Sequence, residues 1–531
     1  MLVGVLFFFR GLQLQCVYPP LEGPDEYQHI AYLAYLLEEH KVPVYGKAMV
    51  PKSLYPDLLA NPHCRWDWMQ TGGIGCLEYK DFYKQQPKQT ADSNISLYQA
   101  QQAPLYYLLF SPVFGWLKCA FGFRAAVYTL RIINITLATF AIVFLASPLN
   151  GVFQEQKLIR LGTLAVSLVP MFMTYVSRIT CDALAMAFAG AVVYLLTRMA
   201  DRRHLVLKAA IVGCLIGLGV LTKLIVICLL PASLVYFAYL AFASRMPRLK
   251  AVICSLALIG GYLAATLHYH SQNYRDFGTI FPYANTISNA AAGKTLLDLA
   301  EQIRFEHLKS VFVKRLVRMN LWTSGWSFLQ PNRMFIKVYN WILIISLLGL
   351  VPGFVVLFRQ KLQKSFRLSP NLVLCGLVML FSFLIVYAQI LNSIVTYGQI
   401  VTVSYYVMIG YPAFLICVLA AAQGYGKNGV IISAIAMILL FLATEYHSVL
   451  GIAVQHWTNA TSMQQIFERL ASIHPAFPAP KFFFVFAAVV FLLTLALMLT
   501  AITARGQTQN ESYAITKEER LEYIQHCYTN H

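Results

Sequence analysis

Charge is what this sequence of 531 residues has least of. Asp and Glu number only 23, and charged residues of both signs make up 12% of the chain, against roughly 25% in soluble domains. Hydrophobic residues supply 58% and the mean hydropathy is +0.60. A soluble domain of this size cannot be clothed with so little charge, so the composition identifies an integral membrane protein. Other absences narrow the chemistry. The eleven cysteines form no CxxC pair and no Cys/His cluster with zinc spacing, which argues against a structural metal site. No Walker-type loop, dinucleotide fingerprint or HExxH occurs, and no internal repeat stands out. Chemistry driven by cytoplasmic ATP is therefore disfavoured, and an active site is expected on the outer face.

What is present is a series of apolar runs, each long enough to cross a hydrocarbon core of roughly 30 Å. The runs are continuous rather than alternating, which reads as helices. About twelve spans are expected: 1–18, 125–147, 161–177, 183–199, 207–222, 224–243, 251–269, 338–358, 371–391, 404–422, 429–447 and 482–503. Only Lys223 separates the fifth from the sixth. Residues 104–121 are apolar too, but Pro104, Pro112 and Lys118 suggest a helix lying at the interface. The fold class is thus all-α and polytopic, with residues 1–503 as the membrane domain and 504–531 as a cytoplasmic tail. No cleavable signal peptide is evident, and the first run is short enough that the natural start is expected a little upstream.

Loop charge orients the layout. With the N-terminus inside, short inner loops hold Lys157 and Arg160; Arg202, Arg203 and Lys208; Arg245, Arg248 and Lys250; and Arg359, Lys361, Lys364 and Arg367. The long polar segments 19–123 and 270–337 then fall outside, with 448–481. The net charge of +18 is largely this topology signal. Nucleic-acid binding is not expected, since the basic residues flank spans instead of clustering in one soluble domain. Segment 270–337 is the exception: Arg315, Arg318 and Arg333 are among nine cations there, an outside excess that suggests an anionic ligand. Cys64 and Cys76 flank a Gly-rich stretch of the first outer segment, where an oxidising compartment allows a disulfide.

The acidic motif Pro19-Pro20-Leu21-Glu22-Gly23-Pro24-Asp25-Glu26-Tyr27-Gln28-His29 follows the first span directly. Ionisable groups at a membrane edge are costly and tend to mark function, so Asp25 is the first candidate for chemistry. Gly23-Pro24 reads as a helix start that places Asp25 in the first turn, where the macrodipole favours its ionised form. Glu26 leaves the helix about 100° away, whereas His29 shares the Asp25 face. The plainer alternative is that Asp25 and Glu26 only decorate a helix N-terminus and that His29 is structural. Arg131, some six residues into a span, needs a carboxylate or a phosphate as partner. Asp182 follows Arg178 by four residues, which suggests an ion pair between them, with substrate binding as the other option. Lys223, between two apolar runs, either contacts an anionic headgroup or snorkels to the interface.

The order of these features resembles a family. A first span, an outer Asp-Glu followed by a helix with His29, and then Gln102-Ala103-Pro104-Leu105-Tyr106-Tyr107 are similar to the GT-C membrane glycosyltransferases. These include protein O-mannosyltransferases, aminoarabinose transferases and a bacterial group with a Pro-Asp-Glu-Pro-x-His motif. Arg131 to Asn134, Arg178 to Asp182 and Leu221-Thr222-Lys223 extend the likeness. Tyr27 departs from the bacterial group's Pro, and Val403-Ser404-Tyr405 stands where Gly-Arg-Tyr is usual. The resemblance implies transfer of a sugar from a polyprenyl-phosphate carrier to a glycan, lipid or protein acceptor on the outer face, in a bacterial cytoplasmic membrane sooner than in the endoplasmic reticulum. On that reading Asp25 is the general base; Glu26, His29, Arg131, Asp182, Lys223, Arg315, Arg318 and Arg333 bind substrate, and no cofactor or metal is required. No Asp-x-Asp of the kind that accompanies pyrophosphate carriers is present. The rival readings are a secondary transporter and a non-catalytic subunit of a glycan-assembly complex.

Overall fold

The computed structural model describes residues 2–22, 25–61, 79–83, 94–200, 204–243, 245–309, 320–322, 324, 329–353, 369–398 and 407–503. Cys64, Cys76, Arg315, Arg318, Val403-Ser404-Tyr405 and the tail 504–531 lie outside the described residues. The described chain is helical, as the apolar runs require when no water is at hand to satisfy the backbone. Its only extended pairings are two isolated bridges, Met49 with Ser96 and Ser324 with Leu329.

Among the described residues, seven helices are long and apolar enough to cross a membrane: Phe123–Val152, Leu224–Phe242, Arg248–Phe277, Arg333–Gly353, Pro370–Tyr397, Lys427–Thr458 and Pro480–Thr503. The pair Gln156–Ser167 and Pro170–Val176, bent by 48°, is long and apolar enough only when taken together, as a broken span or a re-entrant loop. The break has a local cause. Pro170 has no N–H to continue the helix, and the Ser167 carbonyl before it accepts a 2.9 Å hydrogen bond from Arg10 Nη1.

This differs from the expected twelve. The other four expected spans are helices, Leu2–Gln15, Asp182–Thr197, Leu205–Val220 and Gly410–Ala422, of 14, 16, 16 and 13 residues. At 1.5 Å per residue each is roughly 20 to 24 Å long, shorter than the hydrocarbon core. Sequence hydropathy counted the apolar turns and extended pieces flanking these helices as part of the span. The Leu105–Phe121 helix is likewise short.

The membrane core is one large cluster of apolar side chains, and a second cluster is built where the first polar segment folds back on it. In the second, Ile30, Ala31, Tyr32 and Leu33 pack with Tyr106, Tyr107, Ala126, Val127, Ile179 and Cys181. Helices approach closely where glycine permits it. A Cβ on Gly213 would lie 2.0 Å from the Leu258 carbonyl oxygen, and one on Gly261 would lie 2.3 Å from that of Ala210, so the Leu205–Val220 and Arg248–Phe277 helices pack backbone to backbone.

The connecting segments sort into two sets. In one, Asn371 Nδ2 donates to the Pro148 carbonyl at 3.3 Å and Arg160 Nη1 to that of Thr500 at 3.4 Å. In the other, segments 19–123, 270–337 and 448–481 converge. Ala284 N donates to Gln101 Oε1 at 2.7 Å, His474 Nε2 lies 3.2 Å from the Gln15 carbonyl oxygen, and Trp457 Nε1 donates to Glu22 Oε1 at 3.0 Å.

Candidate active site

The acidic motif begins the Glu26–Glu39 helix, but not as an ordinary first turn. Asp25 occupies the N-cap position in a left-handed conformation, φ 65° and ψ 0°, and makes no side-chain capping bond. Asp and Asn tolerate this region better than other residues with a Cβ, and such backbone costs about 1–3 kcal/mol and tends to persist at functional sites. The sequence placed Asp25 inside the helix; the left-handed turn moves it to the boundary and aims it differently from a capping carboxylate.

Beneath it, two glutamates of the same motif are held by buried arginines. Arg131 clamps Glu26 with both arms, Nε to Oε1 at 2.8 Å and Nη2 to Oε2 at 2.5 Å, and both side chains are fully buried. Arg131 also donates to the carbonyls of Tyr18 at 3.1 Å and Pro19 at 2.8 Å, and the Ile179 amide donates to Glu26 at 2.8 Å. Arg178 pairs with Glu22, which also accepts from Ser324 Oγ at 2.9 Å and from Trp457. The expected i,i+4 pair of Arg178 with Asp182 is therefore not formed, because the chain turns between them and Asp182 starts a new helix. Glu22 was not recognised in the sequence, although it stands three residues before Asp25. Ser324 and Trp457 carry no local signal at all, since only tertiary folding brings them there.

Asp182 instead accepts from Lys223 Nζ at 2.5 Å, both side chains being almost fully buried. Lys223 sits where the Leu205–Val220 helix ends, in extended backbone, with its amide bonded back to the Gly219 carbonyl at 2.7 Å. Its side chain turns inward, so it does not snorkel. The neighbouring Leu221 carbonyl accepts from Leu105 N at 2.9 Å, which ties this break to the Gln102–Tyr107 segment.

Asp25, His29, Asp182 and Lys223 then line one small cleft together with Gln99, Gln102, Tyr175 and Thr180. His29 Nδ1 lies 2.7 Å from the Tyr107 hydroxyl. Burial, and secondarily the Lys223 charge, holds the His29 imidazole down to about 3, so it is neutral at physiological pH. Asn134 Nδ2, bonded to the Arg178 carbonyl at 2.6 Å, braces the cleft wall. Four of the residues expected at a site thus meet, Glu26 and Arg131 form the layer below, and Arg333 stands apart, exposed on the first turn of its helix. Among the described residues no group of three or more His, Cys, Asp or Glu side chains is placed to hold a metal ion.

Chemically, the cleft offers two carboxylates and one cation, of which Asp182 already engages Lys223. That arrangement suits the binding of an anionic group near a proton acceptor. It belongs to a multi-pass membrane protein that is helical through its described residues, and a family model matches part of the chain. Residues 111–266, the stretch holding Arg131, Arg178, Asp182 and Lys223, match the family described as dolichyl-phosphate-mannose-protein mannosyltransferase. The resemblance read from the sequence is thereby borne out over that segment, which is under a third of the chain.

Solved structures give a weaker likeness. The Archaeoglobus fulgidus oligosaccharyltransferase in complex with Zn and sulfate is 14% identical, with 90% of this chain and 58% of that chain covered and a TM-score of 0.42. ArnT from Cupriavidus metallidurans bound to undecaprenyl phosphate is 11% identical, with 94% and 76% covered and a TM-score of 0.38. The archaeal oligosaccharyltransferase AglB, in complex with an inhibitory peptide and a dolichol-phosphate, is 12% identical, with 95% and 56% covered and a TM-score of 0.42. The chain spans under three fifths of the length of these archaeal enzymes. No curated protein matches it by sequence.

Proposed function

We propose that this protein transfers a sugar from a polyprenyl-phosphate carrier to an acceptor hydroxyl or amine on the extracytoplasmic face, with inversion at the anomeric carbon. The observation that carries the reading is the division of labour within the motif. Glu22 and Glu26 are each held by a buried arginine, while Asp25 faces the cleft that contains the Asp182–Lys223 pair.

In the reaction the acceptor oxygen or nitrogen attacks the anomeric carbon as the bond from that carbon to the carrier's phosphate oxygen breaks. Asp25 takes the proton from the acceptor. The carrier leaves as its phosphate monoester, whose growing charge is met by Lys223. A carrier phosphate is already a good leaving group, so positioning and one well-placed base suffice for much of the rate. Lys223 supplies the charge compensation that a metal gives elsewhere, and sugar transfer is expected to survive chelation by EDTA. The bacterial cytoplasmic membrane is the proposed setting, consistent with the bacterial group that the motif resembles.

The test is carrier-dependent sugar transfer by purified protein with Asp25→Asn. Loss of transfer with normal folding supports the reading. Near-full transfer would assign Asp25 to the helix boundary alone.

A further inference from the structure

We propose that Gln99 reads the transferred sugar, its side-chain amide oxygen accepting a hydrogen bond from a hydroxyl of the carrier-linked sugar. This rests on the function proposed above. Gln99 lines the cleft beside Asp25 and Lys223 and is only 2% exposed. Its Oε1 takes no hydrogen bond among the described residues. A buried carbonyl-type acceptor left without a partner is costly and calls for an explanation. One on a residue that lines a cleft is explained by a donor that arrives with the ligand.

The segment that carries Gln99 is built to hold it still. Residues Tyr98–Gln101 form a 3₁₀ turn closed by Gln102 N to the Gln99 carbonyl at 2.9 Å and Ala100 N to that of Leu97 at 3.0 Å. The turn is anchored on both sides. Leu97 N donates to the Ala48 carbonyl at 2.9 Å, Gln28 Nε2 to that of Ser96 at 3.0 Å, and Ala284 N to the side chain of Gln101. A rigid, neutral acceptor can neither remove a proton nor neutralise a phosphate, but it can tell a hydroxyl from its absence. Sites that hydrogen-bond a hydroxyl discriminate strongly against ligands lacking it, because the site's polar group is then left buried and unpaired. The sugar is the assigned source of that hydroxyl because it is covalently next to the phosphate that Lys223 faces in the same small cleft.

The experiment compares the full-length wild type with Gln99→Met, which keeps the length of the side chain and removes both polar ends. Binding is measured for a bare polyprenyl phosphate and for the same polyprenyl phosphate bearing mannose, glucose, galactose or aminoarabinose, using whichever sugar the wild type holds tightest. Gln99→Met should weaken that sugar-bearing carrier about 3- to 10-fold, the equivalent of one neutral hydrogen bond, and leave the bare carrier unchanged. It should also melt at or above the wild-type temperature, since the unpartnered oxygen is gone. Equal weakening of both carriers, a lowered melting temperature, or no change in either affinity would overturn the assignment. If Gln99→Met does not fold, Gln99→Asn, which keeps the chemistry but shortens its reach, takes its place with the same expectations for binding. Failure of the wild type to bind any of these carriers would instead sink the proposed function, and this inference with it.

Discussion

Asp25 and Glu26 are adjacent carboxylates with opposite surroundings, and they should fail in opposite ways. Asn fits the left-handed conformation at position 25 as well as Asp does, so Asp25→Asn should leave the melting temperature in detergent nearly unchanged while sugar transfer falls about 10² to 10⁴-fold. Glu26→Gln removes the charge that balances Arg131 in a fully buried pair. Stability should fall by about 3–5 kcal/mol, and activity should track the folded fraction. An Asp25→Asn protein that unfolds while Glu26→Gln stays folded and inactive would exchange the two roles. Lys223 needs a paired control for the same reason, because Lys223→Ala alone strands Asp182. His29 yields a pH prediction. Its folded-state value of about 3 lies below the ordinary 6.5, so the unfolded chain binds the proton first. The stability it contributes is complete above pH 6.5 and is lost as pH falls toward 3. Wild-type protein should therefore lose more melting temperature between pH 7 and 4 than His29→Asn does, and His29→Asn should leave any activity limb between pH 5 and 8 in place.

At the level of elements, a fourth buried pair, Arg10 with Glu445, explains how the bundle tolerates its broken span. Arg10 Nε donates to Glu445 Oε1 at 2.8 Å, its Nη2 also meets that carboxylate, and Nη1 takes the Ser167 carbonyl at the break. One guanidinium thus joins the Leu2–Gln15 helix, the Lys427–Ser448 helix and the kink before Pro170. Arg10→Met alone should destabilise by about 3–5 kcal/mol, whereas Arg10→Met combined with Glu445→Met should recover most of that loss in thermal melts, since a buried pair replaced as a unit is often neutral. Full additivity of the two single losses would show that the residues do not act as a pair. The sequence made the helices legible because continuous apolar runs leave no other structure in lipid. It also marked Asp25, His29, Asp182 and Lys223, since isolated charges in so apolar a chain stand out. It could not show which charge meets which. Arg178 is four residues from Asp182 yet bonds Glu22, 156 residues away, and Arg10 finds Glu445 at a separation of 435. Helical spacing predicts neighbours only while the helix continues, and here the chain turns between Arg178 and Asp182. Gln99 escaped notice because an amide in a polar segment has nothing unusual about it until burial is known.

For the molecule as a whole, the two sets of connecting segments bear on which way it faces. Glu22, Ser324 and Trp457 come from three segments far apart in sequence, and their hydrogen bonds put all three at one end of the bundle. The cleft with Asp25 and Lys223 lies among those segments, and Ala284 reaches it through Gln101. Arg160, one of the basic residues expected inside, belongs to the opposite set, so the proposed orientation by the positive-inside bias has the cleft facing outward. A lipid-phosphate sugar would reach such a cleft from the outer leaflet. The orientation is tested with single cysteines at two described, exposed positions, Ser288 and Asn428. In intact cells, a cysteine at 288 should react with a membrane-impermeant maleimide, and one at 428 should react only after the membrane is opened. Reaction at 428 with protection at 288 would invert the protein. Asp25 would then face the cytoplasm, and the carrier would have to present its sugar on the inner leaflet.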